Sequence, residues 1–288
     1  MMGAVNWSRR SLLGAAAAGV VLGATGCTGT AVARPSASPV GAVRDQLNQV
    51  MTTIANGNKQ FGVFVEDLRT GGTWSFNDGY TSQSASMAKP MIVSMALRKA
   101  RPADLSADLI TDAVLAITQS NNDAATALWT YAGHAGYTDL AKALGMADTH
   151  LDEGKPDQWS WTWTTPADQV KLVKALQERN TEALTFAEAK FVYDQMGDVI
   201  PDQTWGVGVP RVVSSDVNLK VDVHLKNGWV QFKSTDNLWA VNSMGSVEGQ
   251  GRKYRMCVMT RLPDFPTGRD TVSEVGKWVF SILGSGTL

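Results

Sequence analysis

The sequence predicts a single α/β sandwich that carries a helical subdomain. Strand-like segments stand near both ends, at residues 61–65, 72–76, 221–231, 237–248 and 253–261, and these must pair with one another to complete a sheet. Between them lies a long stretch of helical character, so the subdomain is expected over about residues 100–205 and a cleft is expected where the two parts meet. With 44% apolar and 18% charged residues in a chain of 288, there is enough apolar material for one sizeable core.

The first 27 residues read as an export signal rather than as part of the fold. Arg9 and Arg10 directly precede an Ala- and Gly-rich apolar stretch over residues 12–25, a pattern that resembles a twin-arginine signal. The stretch is shorter than the roughly 20 apolar residues that a spanning helix needs. It ends at Ala24-Thr25-Gly26-Cys27, and small residues before a Cys resemble a lipobox, in which Cys27 becomes the acylated first residue of the mature chain. Ala24 stands where such motifs usually carry Leu, and the alternative is cleavage elsewhere with Cys27 unmodified. The expected location is the outer face of the cytoplasmic membrane, or outside the cell if Cys27 carries no lipid. Residues 28–41, dominated by Ala, Ser, Thr, Gly and Pro, form a flexible tether, and residues 42–288 form the folded domain. Lipidation of Cys27 leaves Cys257, which sits in an apolar strand-like run and is expected in the core.

Along the domain, Val43, Leu47, Val50, Met51 and Ile54 recur at spacings of three and four and predict a first amphipathic helix over 42–55. Asp67-Leu68-Arg69-Thr70-Gly71 supplies turn chemistry for a hairpin between the first two strands. Helices are predicted over 87–99, 108–131 (interrupted by a turn), 138–144, 166–177 and 183–196. Thr165-Pro166 places a capping hydroxyl before a first-turn proline. After the late strands, apolar periodicity predicts a closing helix over 270–283. Twenty-six basic against 27 acidic residues give a net charge of −1, which argues against a nucleic-acid partner.

Three short segments carry the chemistry. Ser86-Met87-Ala88-Lys89 is the only Ser-x-x-Lys in the chain, at the start of a predicted helix. Residues three apart share a helix face, so the Lys89 amine is expected to reach the Ser86 hydroxyl. A desolvated lysine loses its proton readily and then serves as base to a hydroxyl that is a poor nucleophile at its free pKa. Ser120-Asn121-Asn122 falls at a helix–turn–helix junction, 34 positions after Ser86. Lys226-Asn227-Gly228-Trp229 lies on the first late strand.

In this order and on these elements the segments resemble the Ser-x-x-Lys, Ser-x-Asn and Lys-Thr-Gly signatures of the class A β-lactamase and penicillin-binding superfamily. Trp163-Thr164-Thr165-Pro166 is similar to a further segment of that family, and the resemblance covers most of residues 42–288. It implies a β-lactamase-like sandwich, with an antiparallel sheet flanked by helices and a reduced all-helical subdomain. It further implies that Ser86 is the acylated nucleophile, Lys89 its proton acceptor, and Ser120 the proton relay to the leaving group. Asn122 would hold the substrate's amide carbonyl, Lys226 would supply positive potential to an anionic substrate, and the N–H groups of Ser86 and Trp229 would form the oxyanion hole.

The chain departs from the family pattern in places. Asn121 replaces the usual Asp, and Asn227 replaces the Thr or Ser of the third signature, leaving an amide to donate to a substrate carboxylate. The Glu-x-x-Leu-Asn signature that positions a deacylating water is missing, and Glu153 is the nearest candidate for that base. Trp159, Trp161 and Trp163 alternate through the same loop and either wall the substrate or pin the loop to the core. His224 shares a strand face with Lys226 but lacks an orienting partner in the sequence. No Gly-x-Ser-x-Gly elbow and no metal-ligand cluster stands in the chain.

Two functions follow as expectations. One is an active-site-serine hydrolase or acyltransferase for an amide, β-lactam, peptide or ester. The other is a non-catalytic envelope lipoprotein that uses the same fold as a binding module. The expected partners are a small-molecule or peptide substrate and, through a lipid at Cys27, the membrane. A monomer without cofactor or metal is expected.

Overall fold

A computed structural model describes residues 40–56, 60–100, 104–179, 181–233 and 236–288. The expected signal segment, Cys27 and nearly all of the 28–41 tether lie outside the described residues.

Helix α1 (Val40–Ala55) is followed by a hairpin of β1 (Gln60–Asp67) and β2 (Gly72–Phe76). Gly71 takes φ +76° at the hairpin turn, a conformation that a side chain would strain. A short strand β3 (Ser82–Gln83) and one 3₁₀ turn over Ala85–Ala88 lead into α2 (Lys89–Lys99). Helices α3 (Ala107–Thr118), α4 (Asn122–Ala132) and α5 (Gly136–Ala143) come next. A loop then reaches β4 (Trp163–Thr164), α6 (Pro166–Glu178) and α7 (Phe186–Gly197). The chain closes with β5 (Val221–Gln231), β6 (Trp239–Gly249), β7 (Arg252–Leu262) and α8 (Phe265–Ile282).

The two ends of the chain meet in one antiparallel sheet of order β2-β1-β7-β6-β5, where β1 pairs β7 from Gln60↔Arg261 to Asp67↔Tyr254. Strand alternation sorts the side chains between two cores. Phe61, Val63 and Val65 of β1 and Met256 and Val258 of β7 meet Val43, Leu47 and Met51 of α1 and Val272, Val275 and Val279 of α8. Cys257 and Met259, the intervening β7 residues, face the other way and join α2 to α7 in the second core. The Cys257 thiol is buried and free, as its sequence context predicts, and burial pushes its pKa well up. Both faces of β6 and β7 are covered, so both strands are buried almost without a break.

Several helix starts differ from the periodicity reading for identifiable reasons. Helix α8 begins at Phe265 rather than 270, because Asp264 caps it by accepting from the Thr267 N–H and Pro266 fits the first turn. Its Gly268 hides the periodicity: a Cβ there would meet Val241 Cγ2 at 2.4 Å, so the helix lies directly on the sheet. Helix α7 begins at Phe186 rather than 183, behind a reciprocal capping box of Thr185 and Glu188. Thr165 caps α6 as its sequence predicts.

Arg255 on β7 ties the helical layer to the sheet. Nearly fully buried, it donates to Gln177 Oε1 (2.6 Å), Glu178 Oε1 (2.7 Å) and Glu66 Oε2 (2.8 Å). Arg255→Ala strands these acceptors, and we expect a loss of about 3 kcal/mol, the scale for removing one partner of a buried ion pair. Urea unfolding of wild type and variant measures it.

Candidate active site

Ser86 sits in the 3₁₀ turn before α2, with only 7% of its surface exposed. The turn is strained, because Ala85 takes φ +50°, a region that L-residues avoid unless their surroundings hold them there. Those surroundings are specific. The Ser84 N–H donates to Thr162 O at 2.8 Å and the Ser84 and Thr162 hydroxyls pair at 2.5 Å. Strand β3 pairs with β4, and Asn242 of β6 donates to Gln83 O at 3.0 Å while accepting from the Thr260 N–H. The segment before the serine is thus clamped between the sheet and the loop over residues 144–162.

On the other side, β5 is the edge strand of the sheet, bridged to Val212 at its start, and passes close to Ser86. A Cβ on Gly228 would come within 2.7 Å of Met87 N, 2.8 Å of Ser84 O and 2.9 Å of Ser86 N. All three are backbone atoms that cannot swing aside, which is the reason for glycine after Lys226-Asn227. Because β5 is an edge strand, half of its N–H groups point away from β6.

Lys89 shares a face with Ser86, yet its amine forms no hydrogen bond to Ser86 Oγ, contrary to the spacing argument. It donates to Ser120 O (2.5 Å), Ser120 Oγ (3.2 Å) and Asn122 Oδ1 (2.8 Å). The cause lies in the α3–α4 junction. Ser120 adopts φ +57° there, and its carbonyl accepts from Lys89. Asn121 Oδ1 accepts from the Ala124 N–H and caps α4, a structural role that asparagine fills as well as aspartate. Lys226 approaches the same serine from the sheet, donating to Ser120 Oγ at 2.9 Å and to Asn227 O at 2.8 Å. Two buried amines therefore meet on one hydroxyl, and neither has a carboxylate partner among the described residues. Burial pulls the Lys89 amine down to about 7. Burial, and after it the nearby Lys89 charge, holds Lys226 well below the ordinary lysine range.

A cavity of about 220 Å³ opens above this cluster, lined by Ser86, Ser120, Asn122, Trp159, Ser160, Trp229 and Val230. Four residues singled out from the sequence, Ser86, Ser120, Asn122 and Trp229, thus meet at one opening, with Lys89 and Lys226 buried in contact with Ser120. Asn227 does not join them. Alternation along β5 sends it to the opposite face from Lys226, where it is fully buried and donates to Gln203 O and Trp205 O, so its amide is not offered to a substrate. Lys226 likewise holds Ser120 rather than lining the opening.

Glu153 is exposed on the loop and does not line the cavity. Of the neighbouring acids, Asp152 accepts from the Trp163 indole and Asp157 pairs with His134. The loop instead presents Trp159 and Ser160. Trp159 lies over the Lys89 amine, 4.8 Å from ring centroid to Nζ, and donates to Thr126 Oγ1 at 3.2 Å. The alternating tryptophans therefore divide their roles: Trp159 walls the cavity, Trp161 packs edge-on against Phe232, and Trp163 anchors β4. Ser160 escaped the sequence reading because no motif marks it; only the 3₁₀ turn over Trp159–Trp161 turns it inward. His224 stacks on Tyr193 and bonds Tyr193 O, apart from this cluster. A larger cavity of about 390 Å³, lined in part by Val199, Pro201, Arg211 and Val213, gathers none of the motif residues.

A reachable serine, a deprotonable lysine one helical turn on, and a second serine shared by two amines suit acyl transfer. The chain belongs to the Beta-lactamase enzyme family, whose sequence model matches residues 104–283. Its fold is that of class A β-lactamases. The enzyme from Bacteroides cellulosilyticus superposes with a TM-score of 0.68 at 17% identity, covering 84% of this chain and 99% of the other. A β-lactamase from Sphaerobacter thermophilus gives 0.69 at 17% identity over 83% and 97% of the two chains. A class A β-lactamase from Mycobacterium abscessus gives 0.65 at 19% over 84% and 99%. No curated protein sequence matches. Family and fold together support a serine β-lactamase-like hydrolase.

The contact at Gly228 makes a direct prediction. Gly228→Ala must push β5 away from the Ser86 turn, and overpacking of this kind costs about 1–3 kcal/mol. A lowered urea midpoint is the expected reading, and an unchanged midpoint would show that the strand yields freely.

Proposed function

We propose that the protein is an active-site-serine hydrolase or acyltransferase that works through a Ser86 acyl-enzyme on an amide, β-lactam, peptide or ester. The observation that carries this reading is the convergence of the Lys89 and Lys226 amines on the Ser120 hydroxyl beside the cavity that Ser86 lines. A scaffold has no use for two desolvated amines without counter-charges, since each costs free energy to bury.

In the proposed cycle, substrate fills the cavity and Lys89, in its neutral form, accepts the Ser86 proton as Oγ attacks the carbonyl. Contacts between base and nucleophile commonly tighten only when substrate is bound, and Lys89 lies one turn from Ser86 on the same helix face. The N–H groups of Ser86 and Trp229 stabilise the oxyanion, with Trp229 on the free edge of the sheet. Ser120 passes a proton from the amine pair to the departing group. No carboxylate lines the cavity, so Lys89 serves both half-reactions and release of the acyl group is the slow one.

The competing reading is a binding module of the same fold. The turned-away Asn227 and the missing Lys89–Ser86 bond favour it. Labelling separates the two. A fluorophosphonate and a penicillin should each add one adduct to the Ser86 peptide, none to Ser86→Ala. The rate should rise with pH through about 7, because the Lys89 ammonium loses its proton there and the neutral amine that results is the base. An unmodified Ser86 with both reagents, or a rate flat across that window, favours the binding module.

We further propose that the chain is exported and anchored through a lipid at Cys27, which the paired arginines and the lipobox-like Ala24-Thr25-Gly26-Cys27 support. Palmitate incorporation into wild type and none into Cys27→Ser is the expected outcome. Equal labelling of both would sink it.

A further inference from the structure

Lys89 is fully buried and does not line the opening at Ser86, yet three residues that do line it, Ser120, Asn122 and Trp159, are in contact with its amine. Ser120 Oγ, Ser120 O and Asn122 Oδ1 are enough acceptors for every proton of an ammonium group. Acceptors of this kind favour the charged form, and an indole face over the cation favours it further. What opposes them is the loss of water. Burial is the cause that draws Lys89 down to about 7.

Trp159 supplies the cover on the loop side. Its ring centroid stands 4.8 Å from Lys89 Nζ, and the ring is held in place by its surroundings. The indole N–H donates to Thr126 Oγ1 of α4 at 3.2 Å. Trp161, in the same 3₁₀ turn, packs edge-on against Phe232 at 4.6 Å between ring centroids. The Thr162 hydroxyl donates to Trp159 O and pairs with the Ser84 hydroxyl, so the turn that carries the ring is tied to the segment before Ser86.

The charged groups around Lys89 do not take over this role. Lys226 reaches the same Ser120 hydroxyl from β5, and repulsion between the two amines favours a neutral Lys89 as well. Among the described residues no acid of the packed helices or of the loop accepts from the Lys89 amine: Asp123 of α4, Asp139 of α5 and Glu153 of the loop are exposed, and Glu188 of α7 is held in its capping box.

We infer that Trp159 is a positioning residue: its ring seals the Lys89 amine from solvent and thereby sets the pH at which Lys89 becomes a base. The catalytic consequence rests on Ser86 being the nucleophile, whereas the state of the amine does not. Removing the ring opens a path from the cavity to Nζ. Water then hydrates the ammonium form while the three acceptors remain, so the amine titrates at higher pH.

The full chain, isotope-labelled at lysine Cε and followed by NMR, tests this, with the Lys89 resonance assigned by its loss in Lys89→Met. Trp159→Ala should raise the Lys89 midpoint by about one pH unit or more. Trp159→Leu keeps an apolar cover without an aromatic face and should leave the midpoint at or below the wild-type value. Thr126→Val, at an exposed helix position, unpins the indole and should give a smaller rise. Fluorophosphonate labelling of Ser86 should follow the midpoint: below it, Trp159→Ala should react about tenfold more slowly than wild type, since one unit is a tenfold change in free amine. A midpoint that rises in neither Trp159→Ala nor Thr126→Val overturns the inference and leaves the Ser86 reading untouched. A rise in Trp159→Leu as large as that in Trp159→Ala overturns it too. A midpoint that moves as stated while Ser86 stays unlabelled supports the seal and brings down the Ser86 reading instead.

Discussion

The hydroxyl of Ser120 receives hydrogen bonds from two lysine amines that come from different layers of the protein, Lys89 from the helical layer and Lys226 from the sheet. In a low-dielectric interior the mutual repulsion of two ammonium groups so placed adds to the cost of burial and favours the neutral form of each amine. That constraint depends on helices and sheet closing over the cluster from opposite sides.

The surrounding architecture reads as the support this cluster needs. Ser120 and Ala85 both hold positive φ, and such conformations persist only where neighbours over-determine them. For Ala85 the neighbours are the Ser84–Thr162 pair, the β3–β4 ladder and the Asn242 bond to Gln83 O. For Ser120 they are the two amines and the Asn121 cap that starts α4. Gly228 then lets the sheet edge approach the Ser86 turn to backbone contact. Strain, close approach and buried charge thus fall within one small volume, the usual mark of a site shaped for chemistry rather than for stability.

The fold is shared with class A β-lactamases at identities of 17–19%. Trp159 and Ser160 stand on the wall that the loop provides, while Asp152 and Asp157 are engaged elsewhere and Glu153 is exposed. Such a wall shapes the opening without touching the Lys226–Ser120 contact beneath it. The same scaffold can host different substrates because the lining varies more freely than the frame that positions it.

Much of the fold was legible in the chain because its signals are local. Strand-like segments bounded by turn residues marked the sheet, Thr165-Pro166 marked the start of α6, and the separation of strand segments to both ends required them to pair, as β1 and β7 do. Ser86, Ser120, Asn122 and Trp229 could be selected by order and element type, and they share one cavity. Asn227 was misplaced because its neighbour Lys226 was followed and the alternation of the strand was not. The partners of Lys89, the inward turn of Ser160, and the isolation of Glu153 from the cavity had no counterpart in the sequence. Residue type and spacing along the chain determine which groups are present and which face of an element they occupy. Where a flexible amine finds its acceptors, and which loop residue fills a given space, is decided only when segments distant in sequence pack together and leave each polar atom few places to go.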